Sequence, residues 1–209
     1  YGDRVRQLQR FDVYVNGKEA SAYLQHISSN YDRLARQTFF LHSDPASHIN
    51  FESFIRTLIW SLVCDIPIGF MHLNAIYMST SLSSSWGTCC GVDSACKTSL
   101  FQYLNASIPG TVTAYKGGQF VASDTIIRNQ TKLFWQSLLA LFDTSHPLSG
   151  CTVFDDWGRG PLIGAQLERV WHVLMKRSWL LPSRVTDEQL PMYLRTPECS
   201  GFKNCHGAV

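Results

Sequence analysis

Apolar residues recur at Ala20, Tyr23, Leu24, Ile27, Tyr31 and Leu34, the spacing of an amphipathic helix over Glu19 to Leu34. Phe11 to Val15 ahead of it and Thr38 to Leu41 behind it read as short strands, the second stopped by Ser43-Asp44-Pro45. Phe51 to Val63 repeats the helical pattern through Phe51, Phe54, Ile55, Leu58, Ile59 and Leu62, with Asn50 as its N-cap. From Asp65 to Gly110 the periodicity fades. Pro67, Gly69, the serines between Ser79 and Ser85 and the Cys89-Cys90 pair predict a long irregular insertion. Thr111 to Ala122 is a strand interrupted at Gly117-Gly118. Ser123 then caps a helix over Asp124 to Phe142, with Ile126, Ile127, Phe134, Leu138 and Leu141 toward the core. A loop follows from Asp143 to Pro161, and Ile163 to Lys176 is the last strong helix.

Strands alternating with helices, without a strand meander, predict an α/β layered fold. The expectation is a single domain over residues 1–182 with a mostly parallel central sheet flanked by helices. Residues 65–110 form its irregular insertion and 183–209 a cysteine-tethered tail. Ligands on such sheets lie beyond the carboxyl ends of strands. The end of the Thr38 to Leu41 strand is therefore the first place to look for a site, and the Gly117-Gly118 break the second.

Composition changes this picture in two respects. Of 209 residues, 45% are hydrophobic and 12% aromatic, enough for a sizeable core. The formal net charge of +2 is too small to point to nucleic acid or an anionic membrane. No apolar run reaches the roughly 18 residues of a membrane span, no signal-peptide pattern is present, and the start at Tyr1 leaves room for an upstream segment.

The 7 cysteines are Cys64, Cys89, Cys90, Cys96, Cys151, Cys199 and Cys205. Asn105-Ala-Ser and Asn129-Gln-Thr are glycosylation acceptor triplets. Together they favour a secretory-lumen or extracellular location with disulfides among all the cysteines but Cys64, which reads as a buried thiol.

The stretch NGKEASAYLQHISSNYDRLARQTFFLHSDPASH resembles the signature of an uncharacterised domain family of fungi, algae, oomycetes and bacteria. YKGGQFVASDTIIRN and GAQLERVWHVLM resemble two later blocks of that family, in the same order. The resemblance covers roughly Asn16 to Lys176. It lacks an upstream acidic strand and has no counterpart for the cysteine-rich 64–110 region. The family's layout is loosely similar to GT-A, Rossmann-like nucleotide-sugar glycosyltransferases. In those, an acidic motif at a strand end holds a divalent metal and the sugar-nucleotide diphosphate. The similarity implies that fold and that chemistry by analogy alone.

Each candidate residue also has a plain structural role. Asp44 and His48 can hold a hard cation, manganese or magnesium, although Asp before Pro is also an ordinary turn residue and His42 stands where a second carboxylate is expected. Lys18 and Glu19 open the first helix. Free amides there can bind a phosphate, and Glu19 equally suits the helix dipole. Gly118 and Gln119 can line a pocket or form a bulge. His26 fits an interfacial histidine better than a base. Glu168 and His172, one helical turn apart, can act as general base or as a buried pair. Cys89-Cys90-Cys96 and Cys199, Cys205 and His206 suit zinc poorly. These readings predict a glycosyltransferase-like lumenal or secreted domain that takes a nucleotide sugar and a glycan acceptor. The alternative is a non-catalytic structural subunit that binds other proteins.

Overall fold

The computed structural model describes residues 18–43, 45, 49, 69–74, 77–81, 111–115, 117–143 and 162–176. Helix α1 (Lys18–Asn30) runs into a 3-10 turn at Tyr31–Arg33 and then strand β1 (Gln37–Phe40). Strands β2 (Phe70–His72), β3 (Tyr77–Ser81), β4 (Thr111–Tyr115) and β5 (Phe120–Ser123) follow. Helices α2 (Asp124–Ile127), α3 (Lys132–Ala140) and α4 (Leu162–Leu174) complete the described chain. Helical and strand segments are thus mixed, as the periodicity predicts.

Pairing departs from the expected parallel sheet. Every ladder among the described residues is antiparallel. The larger sheet has the order β1-β5-β2, and β3 pairs with β4 separately. Because β1 and β2 both run against β5, they are parallel to each other. The mostly parallel sheet expected from alternating strand and helix signals is therefore not what the described strands form. The last strand of the set enters between the first two and separates the parallel pair.

Two further expectations are corrected. Part of the region read as irregular forms β2 and β3, whose three- and five-residue lengths are too short to display a period clearly. The single helix expected over 124–142 is two helices. Arg128, Asn129 and Gln130 turn the chain, and Thr131 starts again as an N-cap, its hydroxyl accepting from the Phe134 N–H at 3.1 Å. Ser123 caps α2 in the same way, through the Ile126 N–H. The strand expected over 111–122 likewise splits into β4 and β5, which belong to different sheets. The predicted elements at 11–15 and 51–63, Asn105 and all the cysteines lie outside the described residues.

Alternation puts Phe40, Phe120, Ala122 and Phe70 on one face of the three-stranded sheet and Phe39, Val121, Met71, Leu41 and Leu73 on the other. The first face packs against α1, α3 and α4 through Tyr23, Leu24, Ile27, Trp135, Leu138, Leu167 and Trp171. The second packs against Ile49. All four residues of β5 are buried, as expected of a strand covered on both faces. Phe120 is the hub: its ring stacks on Phe40 at 4.6 Å and meets Trp171 at 5.1 Å, Phe70 at 5.3 Å and Tyr23 at 5.8 Å. The helices are locked by Tyr31, whose hydroxyl donates to the Gln130 carbonyl at 2.7 Å, and by the buried Trp135 indole, which donates to the Ile127 carbonyl.

Phe120→Ala is expected to cost about 3–5 kcal/mol in urea unfolding, the range for emptying a buried aromatic site. Leu133→Ala, at a side chain 70% exposed, is expected to stay within about 0.5 kcal/mol of wild type.

Candidate functional site

The register aligns Phe40, Phe120 and His72 across the sheet. The residues just beyond them therefore share one edge, formed by the carboxyl ends of β1 and β2 and the amino end of β5. His42, Asn74 and Gln119 all lie there.

Gln119 is fully buried and ties the three strands together. Its side-chain oxygen accepts from the His42 backbone N–H at 3.0 Å, and its side-chain nitrogen donates to the Pro45 carbonyl at 3.4 Å. Its own N–H donates to the Asn74 side-chain oxygen at 2.7 Å, and its carbonyl accepts from the Leu73 N–H at 2.9 Å. His42 and Pro45 are thus held by one amide side chain. Burial leaves that amide no alternative partner in water, so the bonds are costly to lose.

Gly117 and Gly118 make the turn into β5 with φ of 109° and 61°, a region that side chains with a Cβ rarely enter. The Gly117 N–H donates to the Glu168 carboxylate on α4. A Cβ on Gly118 would lie 3.1 Å from Glu168 Cγ. The glycines therefore combine a left-handed turn with close approach to α4, and they fix where the Glu168 carboxylate sits.

From the helical side, Glu19 in the first turn of α1 places a carboxylate oxygen 3.6 Å from His42 Nε2. Both side chains are partly open, 26% and 17% exposed. One turn further along α1, the Tyr23 ring is only 6% exposed. Burial raises the Tyr23 phenol well above its usual value, and the charges of Glu19 and Glu168 raise it further. His172 lies a turn beyond Glu168 and is fully buried, its ring 5.6 Å from His72 on β2. His72 in turn contacts Tyr115 at 5.6 Å and Phe70 at 5.0 Å.

Of the residues picked out by sequence, the fold brings Glu19, His42, Gly118, Gln119 and Glu168 to this edge. His172 faces the interior. Lys18 is the first residue of α1. Asp44 and His48 lie outside the described residues, and no group of three or more potential metal ligands exists among the described ones. His26 sits away from the cluster, between Asn30 and the edge of the Phe40 ring, and burial lowers its affinity for a proton. Asn129 is exposed, beyond the helix that begins at the opposite end of β5. His72 and Asn74 are absent from the sequence-based candidates. The alternation through Phe70, His72 and Asn74 was their only trace, in a segment too short to register.

Gly118→Ala is expected to lose about 1–2 kcal/mol from the left-handed φ alone, read as a lower urea midpoint. Gln119→Leu leaves the His42 N–H and the Pro45 carbonyl without their partner and is expected to cost about 1–3 kcal/mol. Because the folded His26 imidazole binds its proton less readily than the unfolded one, the unfolded chain holds more protons just below pH ~6.5. Stability is therefore expected to fall as pH drops through that window. His26→Gln should flatten the slope of melting temperature against pH there.

No curated protein and no solved structure matches the chain. The family model described as protein of unknown function, DUF3431, matches residues 6–206. That span contains every element of the fold and every residue of the cluster, and the chain belongs to this family.

Proposed function

We propose that the chain is a glycosyltransferase-like domain of the secretory lumen or extracellular space, with its site at the edge where β1 and β2 end. The observation that carries this reading is the convergence of Glu19, His42, Gln119 and Glu168 at the carboxyl ends of two mutually parallel strands. Carboxyl strand ends are where open α/β sheets take their ligands. The clamp from Gln119 holds His42 and Pro45, the described neighbours of Asp44, at this edge.

In this reading Asp44 and His48 would hold a divalent cation, which would supply positive charge to a departing diphosphate. The acceptor hydroxyl attacks the sugar carbon directly and gives up its proton. Glu168 suits that proton better than His172, because its carboxylate is half-buried at the edge whereas His172 is enclosed. Gly117 holds the carboxylate through its N–H, and Gly118 keeps the space beside it clear.

The second reading is a structural subunit that keeps the fold and binds other proteins. It is favoured by one observation: the polar side chains of Gln119 and Asn74 are fully buried and bonded to backbone groups, as in a structural clamp.

Manganese together with a panel of nucleotide sugars is expected to raise the melting temperature of the wild-type chain, and Asp44→Ala to abolish the rise. No rise with any donor would sink the transferase reading and leave the structural one. The compartment has its own test. Asn129 is exposed on the turn between α2 and α3, so protein secreted from eukaryotic cells should lose mass on amidase deglycosylation, and Asn129→Gln should remove that glycan.

A further inference from the structure

Tyr23 holds the least satisfied polar group of the cluster. Its ring is packed by Phe40 at 5.1 Å, Phe120 at 5.8 Å and Trp171 at 5.9 Å. Its hydroxyl is buried and makes no hydrogen bond among the described residues. A phenol in that state is costly, since it has given up water without gaining a partner.

The hydroxyl also has a definite direction. Helical side chains lean toward the helix N-terminus, so Tyr23 points along α1 toward Glu19, four residues ahead. Glu19 lies at the edge through its contact with His42, and Glu168 lies there through its bond to Gly117. The charges of both carboxylates act on the phenol, which places it near the two of them. Neither is saturated: Glu19 meets His42 alone, and Glu168 accepts from the Gly117 N–H alone, among the described residues. Both carboxylate side chains are partly exposed, whereas the hydroxyl is buried beneath them.

Chemistry selects the ligand. Two carboxylates offer acceptors, and a phenol offers one donor and one acceptor. A metal ion is a poor fit, because no group of three or more potential metal ligands exists among the described residues. Adjacent hydroxyl groups fit well: each donates to a carboxylate oxygen, and one oxygen accepts from the phenol.

We propose that Tyr23, Glu19 and Glu168 form a subsite for the vicinal hydroxyls of a polyol. This rests on the sugar-transfer reading only in identifying the polyol as the acceptor sugar.

The test uses the full chain and ligand-detected NMR with methyl glucoside, methyl galactoside, methyl mannoside and myo-inositol as probes. At least one probe is expected to bind wild type and Asp44→Ala alike. Tyr23→Phe removes only the hydroxyl. It should weaken that probe about tenfold, the scale of one lost hydrogen bond, while leaving the melting temperature unchanged or raised. Glu19→Gln should weaken the same probe. The proposal is overturned if no probe binds wild type, or if Tyr23→Phe binds as wild type does. It is overturned too if Tyr23→Phe lowers the melting temperature without touching probe affinity, which would mark the hydroxyl as the anchor of a structural water. Tyr23-dependent probe binding without any manganese–nucleotide-sugar stabilisation would remove the transferase reading and leave the subsite. The reverse pattern would remove the subsite alone.

Discussion

Strand β5 occupies the centre of the sheet, and the rest of the described structure depends on that placement. Phe120 faces the helices and touches Phe40, Phe70, Tyr23 and Trp171. These belong to four different elements, so one ring joins β1, β2, α1 and α4. On the opposite face Val121 packs with Met71 and Leu73. Burial on both faces leaves no solvated side to β5, and its backbone groups pair on both edges. A strand so enclosed sets the position of everything that pairs with it.

The same strand sets the polar edge. Gln119 precedes Phe120 directly, so the aromatic hub and the amide clamp are positioned together. The clamp converts core packing into placement of His42 and Pro45. The Gly117-Gly118 turn does the same for α4, because a helix can come this close only where the opposing residue lacks a Cβ. A carboxylate from α1 then lies against His42 and one from α4 against Gly117, both at the strand ends. In an environment partly shielded from water their charges act on neighbours more strongly than they would in solvent, and the Tyr23 phenol responds to both.

Enclosure also divides the ionisable residues by use. His172 and Glu168 stand one turn apart on α4, yet one faces the interior beside His72 and the other reaches the edge. Spacing of four residues makes two side chains neighbours on a helix. It does not say whether the strip they share faces solvent, and on α4 the boundary between core and edge falls between them. His26 shows the same limit on α1, where burial beside Phe40 suppresses its protonation.

Much of the fold was legible in the chain. The period of α1 and α4 marked their buried faces, since a helix four turns long repeats its pattern often enough to be read: Ala20, Tyr23, Leu24 and Ile27 are buried as their spacing predicts. Ser123 announced its cap, because a cap is a local bond between a hydroxyl and an amide three residues on. The family was legible for a related reason, through three ordered blocks that fall mainly on α1 with β1, on β5 and on α4. Strand adjacency was not legible. Pairing joins residues 37–40 to 120–123 and 70–72 to 120–123, and no local propensity encodes contacts of that separation. Nor could the sequence show that Gln119 would be spent on His42 and Pro45, or that Tyr23, counted as a core residue, would bury its hydroxyl without a partner under the charges of Glu19 and Glu168. Local chemistry determined the elements and their buried faces. Only the tertiary structure decided which strand ends share an edge, because that depends on where β5 inserts, and the insertion places the polar groups.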